Sequence, residues 1–249
     1  MKFIGIIPSR YASSRFPGKP LADIKGKPMI QRVYEQARLV LDDVCVATDD
    51  ERIYNAVQSF GGQVTMTSAQ HRCGTDRCYE AYQNIHSDAD VIINIQGDEP
   101  FIQPEQIRAI MACFDTPQTQ IATLAKPFTQ EESFDELENP NTPKIIFSQK
   151  TGNAVYFSRS VIPYKRGTDR SDWMKQHQYY RHIGMYAYRA DILAQITQME
   201  QTPLELAESL EQLRWIENGL QIRVGVCETY SMGIDTPADL EAAIRHLNL

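Results

Sequence analysis

An α/β fold, with a mostly parallel sheet and a smaller inserted β-rich lobe, is what this sequence predicts. Two observations carry it. Short apolar strands alternate with amphipathic helices through the first half, and hairpin-like segments without that rhythm fill the middle. A third bounds it: 249 residues at 42% hydrophobic can build one sizeable core.

In chain order, Phe3 to Ile7 reads as a buried strand stopped by Pro8. Pro28 opens a helix whose apolar positions Met29, Ile30, Val33, Tyr34, Ala37, Val40 and Leu41 keep the 3.6-residue period. Val44 to Ala47 is the next strand and Glu51 to Phe60 the next helix, ended by Gly61-Gly62 before Val64 to Met66 resumes as strand. A helix from about Thr75 to Ile85 precedes the strand Val91 to Ile95. Pro104 begins a helix ending near Phe114, and Ile121 to Ala125 is a further strand. This βαβαβ rhythm predicts parallel strands covered on both faces. The middle differs: Lys144 to Ser148 and Ala154 to Phe157, joined by Thr151-Gly152, read as a hairpin. A polar, loop-like stretch from Lys165 to Gln178 follows, then a strand from Ile183 to Tyr188. Thr202-Pro203-Leu204-Glu205 reads as a capping box opening a helix to about Asn218. Gln221 to Val226 is strand, and Asp235-Thr236-Pro237-Ala238-Asp239 starts the last helix.

Charge narrows the function classes. The net charge of −7 argues against a protein-wide grip on nucleic acid polymers or anionic membranes. Residues 1–27 nevertheless hold six cations against one acid, a balance of +5, leaving −12 on the other 222 residues. That asymmetry fits either a local anion site or chance at a terminus, and charge alone does not choose. The five cysteines (Cys45, Cys73, Cys78, Cys113, Cys227) form no CxxC and match no zinc spacing, so reduced thiols of a cytoplasmic protein are expected. The opening apolar run is too short for a signal peptide, and no apolar stretch approaches ~18 residues.

Several segments carry chemistry. The loop from Pro8 to Pro20 follows the first strand and holds Arg10, Arg15, Lys19, Ser9, Ser13, Ser14 and Gly18, a composition suited to phosphate oxygens. It is neither GxGxxG nor GxxxxGKS, so dinucleotide and P-loop readings fail. Gln96-Gly97-Asp98-Glu99-Pro100 follows a strand, and Asp98 suits either a magnesium ligand or a self-capping turn. Asp235 suits either a second metal ligand or a helix cap. In His71-Arg72-Cys73-Gly74-Thr75-Asp76-Arg77, a cation in a helix's first turn opposes the dipole and hints at an anionic ligand nearby. Cys73 with His71 makes a weak nucleophile pair. Arg159, His182, Glu211 and Gln212 suit a sugar acid's carboxylate and hydroxyls, yet read locally each also suits a purely structural place.

Together these segments resemble the 3-deoxy-manno-octulosonate (Kdo) cytidylyltransferases, also called CMP-Kdo synthetases. The resemblance runs through IPSRYASSRFPGKPL (7–21), VATDD (46–50), HRCGTDR (71–77), NIQGDEPFI (94–102), YFSR (156–159), RHIGMYAYR (181–189), LEQLRW (210–215) and GIDTPADLE (233–241). The first and fourth motifs are shared in looser form with CMP-sialate synthetases, whereas the later ones are more specific. Cys73 departs from the Ser frequent in relatives, 167–180 match no pattern, and Gly18-Lys19-Pro20 replaces the Lys-Asn of sialate enzymes.

The resemblance implies a Rossmann-like, GT-A-like nucleotidyltransferase sheet in a single domain over 1–249. A β-rich lobe at roughly 126–190 would serve sugar binding and homodimerisation. It implies CTP and Kdo giving CMP-Kdo and pyrophosphate, with Mg2+, in lipopolysaccharide biosynthesis. Arg10, Ser13, Arg15 and Lys19 would hold the triphosphate, with Arg15 and Lys19 also catalytic. His71, Cys73, Gly74 and Arg77 would face cytosine and ribose. Asp98 and Asp235 would hold the metal, and Gln96, Arg159, His182, Glu211 and Gln212 the sugar. The same chemistry on 8-amino-Kdo or sialate, a non-catalytic nucleotide-binding regulator, and a sugar-nucleotide glycosyltransferase remain as alternatives.

Overall fold

The computed structural model describes residues 1–13, 15–229 and 233–246. Its strands are β1 (Phe3–Ser9), β2 (Asp23–Ile24), β3 (Lys27–Pro28), β4 (Val44–Thr48), β5 (Gln63–Met66), β6 (Val91–Asn94), β7 (Ile121–Pro127), β8 (Lys144–Phe147), β9 (Ala154–Ser158), β10 (Tyr180–Arg189) and β11 (Ile222–Val226). Its helices are α1 (Met29–Arg38), α2 (Glu51–Ser59), α3 (Gly74–Asn84), α4 (Pro104–Ala112), α5 (Phe134–Glu138), α6 (Trp173–Gln176), α7 (Ala190–Ile196), α8 (Pro203–Glu208), α9 (Gln212–Glu217) and α10 (Pro237–His246). The chain divides into two compact units. The first takes in Met1–Ile107, Arg189–Thr197 and Ser231–Leu249, and the second Arg108–Tyr188 and Gln198–Tyr230.

In the first unit, β6, β1, β4 and β5 lie side by side and parallel, in register Phe3↔Val91, Gly5↔Val44 and Cys45↔Gln63. Strands β4 and β6 are buried at every residue, as parallel strands covered on both faces must be. Helix α1 buries Met29, Ile30, Val33 and Ala37, and α2 buries Ile53 and Val57, each a one-sided stripe. Parallel strands all end on the same side, so the loops after β1 and β6 open together, where α/β sheets bind ligands.

In the second unit, β7 pairs parallel with β11 and antiparallel with β10, while β8 and β9 form the expected antiparallel hairpin. Three sequence expectations change here. The polar stretch 165–178 contains α6, because Trp173 (3% exposed) drives it into a core with Phe128, Leu137 and Tyr179. The indole N–H is satisfied at 3.0 Å by the Thr168 carbonyl.

The helix expected to run from Pro203 to about Asn218 is two helices, broken at Ser209 in a left-handed conformation (φ 51°). The capping box is also absent, since the Thr202 side chain caps nothing. Both corrections share a cause. Glu205 turns inward to meet Arg214, with Nε–Oε2 at 2.9 Å and Nη2–Oε1 at 3.0 Å. Residues nine apart on one straight helix face roughly 180° away from each other, so the pair forms only if the helix breaks between them.

Breaking one partner of a buried ion pair strands the other, at a cost of about 3 kcal/mol. Glu205→Gln should therefore lower the urea midpoint by about that equivalent, whereas Thr202→Ala should shift it little. Equal effects of the two substitutions would contradict this account.

Candidate active site

The loop after β1 is shaped by its own backbone and small side chains. Ser13 Oγ accepts from the Phe16 N–H at 3.3 Å, and the Tyr11 carbonyl accepts from the Gly18 N–H at 3.0 Å. Gly18 adopts φ 71°, a conformation that favours glycine, and starts a short 3₁₀ turn over Lys19–Leu21. This fixes Lys19 at the inner end of the loop. Ser14 lies outside the described residues.

Lys19 is the meeting point of three segments. Its side chain is only 13% exposed, and Nζ lies 2.6 Å from Asp98 Oδ2 and 3.5 Å from Asp235 Oδ1. It also donates to the Ile234 carbonyl at 2.8 Å, while the Ile234 N–H donates to the Asp98 carbonyl at 2.9 Å. Ile234 is 1% exposed, packed with Ile24 and Met29. A buried isoleucine between two backbone bonds is thus what carries Asp235 to Asp98. Arg15 Nη2 adds a further contact to Asp235 Oδ1, at 3.0 Å.

Asp235 does not cap α10, and Asp98 turns toward Lys19. The cap of α10 is Thr236 with Asp239: Thr236 Oγ1 accepts from the Asp239 N–H, and Asp239 Oδ2 accepts from the Asp235 and Thr236 N–H groups. The Asp235 carboxylate is left to Lys19 and Arg15. Asp98 likewise directs its carboxylate to Lys19. Gly97 lets that turn close on β1, because a Cβ there would sit 2.5 Å from Ser9 Oγ and 2.9 Å from the Pro8 carbonyl.

One pocket of about 260 Å³ collects Arg10, Ser13, Arg15, Lys19, His71, Cys73, Gly74, Arg77, Gln96, Asp98 and Asp235, all expected from sequence. Ser9, Arg72 and Gly97 also line it. Arg72, exposed in the loop, was not singled out within its motif, and only its place beside His71 could have marked it.

Two partners were not foreseen. Arg77, 4% exposed, is paired through Nη2 with Asp49 Oδ2 at 2.9 Å and through Nη1 with Thr67 at 2.6 Å. Its unfavourable place in the first turn of α3 is thus offset by a carboxylate of the protein itself. His71 Nε2 is engaged by Glu80 Oε2. Burial opposes ionisation of Glu80, yet the Ser68 N–H and the His71 ring help hold its carboxyl below the ordinary value. Cys73 is the N-cap residue of α3 without a side-chain cap bond, and His71 is committed to Glu80, which removes the basis for a thiol–imidazole pair.

Arg159, His182, Glu211 and Gln212 belong to the second unit. The Arg159 guanidinium donates to the carbonyls of Glu208, Pro140 and Ser209 at 2.6, 2.9 and 3.2 Å, which leaves two of its five N–H groups. Glu211 Oε1 lies 3.3 Å from Arg214 Nη2, and Gln212 is 4% exposed. His182 packs edge-on to Phe157, with Nε2 2.9 Å from Thr123 Oγ1. The Thr123 hydroxyl also faces the Met185 and Ile183 carbonyls, at 2.8 and 3.3 Å. The His182 ring is held neutral. Burial pushes its pKa down to about 3.

Parallel strands that end in a cationic pocket with two convergent carboxylates define a nucleotidyl-transferring class of enzyme. A sequence model of the family described as Cytidylyltransferase matches residues 4–222. The 3-deoxy-manno-octulosonate cytidylyltransferase of Parabacteroides distasonis is 64% identical over 248 residues, covering 99% of this chain and 98% of the relative. The structure of CMP:2-keto-3-deoxy-manno-octonic acid synthetase complexed with CTP superposes with a TM-score of 0.90 at 43% identity, covering 98% of both chains. At 14% identity and a TM-score of 0.61, the 4-diphosphocytidyl-2C-methyl-D-erythritol synthase of Anaerococcus prevotii shares the fold, matching 100% of this chain and 99% of its own. The chain belongs to the cytidylyltransferase family, among its 3-deoxy-manno-octulosonate members.

The His182 assignment predicts a pH dependence. Its folded pKa lies below the unfolded 6.5, so its contribution to stability is complete above 6.5 and lost as pH falls toward about 3. The ring nitrogens should report a neutral imidazole by NMR at pH 5, where an exposed histidine is charged. A charged ring at that pH would refute the assignment.

Proposed function

We propose that this chain transfers the cytidylyl group of CTP to 3-deoxy-D-manno-octulosonate, giving CMP-Kdo and pyrophosphate, and so activates Kdo for lipopolysaccharide biosynthesis. The observation that carries the reading is the convergence of Asp98 and Asp235 on Lys19, in the pocket that also holds Arg10 and Arg15. The CTP named with the relative of TM-score 0.90 supports the same nucleotide.

The donor set fits magnesium. Two carboxylates already converge on one cation, the Lys19 ammonium. Among the described residues no cluster of three or more His, Cys, Asp or Glu suits a metal, so the protein would supply two oxygens and leave the rest to phosphates and water. Asp98 and Asp235 would hold Mg2+, which when bound supplies positive charge where the sugar oxygen meets the α-phosphate.

The chain's own residues do the remaining work by position and charge. The C2 hydroxyl of Kdo attacks the α-phosphorus, its proton is lost, and the bond to pyrophosphate breaks. Arg10, Ser13, Arg15 and Lys19 hold the triphosphate, and Arg15 and Lys19 stabilise the charge that develops on the leaving pyrophosphate. His71, Cys73, Gly74 and Arg77 face cytosine and ribose, with Arg77 held in place by Asp49. Gln96, Arg159, His182, Glu211 and Gln212 bind the sugar acid. The β-rich lobe of residues 126–190 joins two copies as a homodimer, and the enzyme works in the cytoplasm. A solution mass near twice 28.4 kDa would bear out the dimer, and the monomer mass would refute it.

Pyrophosphate release should require magnesium, CTP rather than UTP, GTP or ATP, and Kdo. Release with sialate or 8-amino-Kdo alone would replace the substrate, and none with any sugar would favour a regulator. Asp98→Asn and Asp235→Asn should each cut turnover by about 100-fold or more, with CTP affinity changed far less. Near-normal turnover of either at saturating magnesium would remove that residue as a metal ligand.

A further inference from the structure

A group of side chains next to the basic loop has no part in the chemistry above. The Tyr11 ring lies against Gly18, where an added Cβ would meet ring atoms at 3.0 Å. Over the same ring stands the Arg52 guanidinium, 3.3 Å from the centroid. Arg52 is itself fixed by a fork to Asp50, with Nε–Oδ1 at 2.9 Å and Nη2–Oδ2 at 2.7 Å. Asp50 Oδ1 also accepts the Arg52 N–H at 2.9 Å as the N-cap of α2.

These contacts form one line, from the cap of α2 through Arg52 and Tyr11 to Gly18, the residue before Lys19. The loop between Arg10 and Lys19 is also closed on itself by the Gly18 N–H to Tyr11 carbonyl bond. Carboxylates outside the loop hold the ends of Arg15 and Lys19, but without a further brace any backbone freedom left to the loop would still have to be lost when a triphosphate binds. Tyr11 is the brace's only ring, and Gly18 must lack a side chain to receive it.

We infer that Arg52 is a positioning residue for CTP: it presses Tyr11 onto Gly18 and thereby pre-arranges Arg10 and Lys19, without touching the nucleotide. This rests on the CTP site proposed above. The rival account is that Arg52, being exposed, swings over and contacts phosphate directly.

A mutant cycle on the full chain with magnesium separates them. Arg52→Ala should raise KM for CTP about threefold to fivefold, the worth of an exposed cation–π contact, with kcat changed little. Arg52→Lys should recover part of the loss, and Tyr11→Phe, which keeps the ring, should resemble the wild type. Tyr11→Leu should raise KM as well, and Arg52→Ala with Tyr11→Leu should be no worse than Tyr11→Leu alone. Multiplied effects in the double variant would mean that Arg52 acts directly, and an unchanged KM in Arg52→Ala would end the proposal.

Hydrogen exchange in the ligand-free chain gives a reading independent of CTP. The Gly18 amide should exchange faster in Arg52→Ala than in wild type, and an unchanged rate would overturn the brace. A wild type indifferent to CTP would overturn the proposed function instead, with the exchange rate still deciding the brace.

Discussion

Everything around the pocket depends on the Lys19 ammonium. Two carboxylates that approach one cation repel each other, and with Asp98 34% and Asp235 49% exposed water screens that repulsion only in part. The ammonium removes it, and the Ile234 carbonyl takes another of its protons. Three distant stretches of chain are joined by this one group: the loop after β1, the turn after β6, and the segment entering α10. Removing Lys19 would leave the two carboxylates to repel each other, whereas removing one carboxylate leaves the ammonium its other partner.

The same arrangement explains how the site can receive two acidic substrates. Within the chain the carboxylates are neutralised by Lys19 and Arg15. In the proposed reaction a triphosphate would offer those cations new anionic partners, and a divalent ion would offer the carboxylates a new cation. Such an exchange would swap one set of ion pairs for another, so that the pocket need not bury a naked charge. Arg77 shows the converse design. Its permanent pairing with Asp49 makes it a fixed wall, while Arg10 and Arg15 stay exposed at the pocket.

Much of this was legible in the sequence, and the gaps have physical reasons. The strands and helices of the first half were readable because burial on both faces or on one stripe imposes period and composition, as in β4 and α1. The loop cations and both aspartates were readable because each sits at a strand or helix end, where ligands bind. Partners were not. Nothing local ties Arg77 to Asp49, or Glu205 to Arg214 across a helix that must break to let them meet. Trp173 was hidden by polar neighbours, although its indole anchors a short helix within the stretch. Ile234 read as an ordinary residue of its motif, yet its burial is what positions Asp235.

The charge asymmetry is likewise only partly a site property. Of the six cations in residues 1–27, Arg10, Arg15 and Lys19 line the pocket. Lys2 is engaged by Asp88 and Asp43, and Lys27 by Glu35. A sum over sequence counts these ordinary surface pairs together with the three charges that matter. What distinguishes the three is that they sit on a single loop at the carboxyl end of β1. Placement at a strand end, rather than the size of the local charge, is what marks this loop as the candidate anion site.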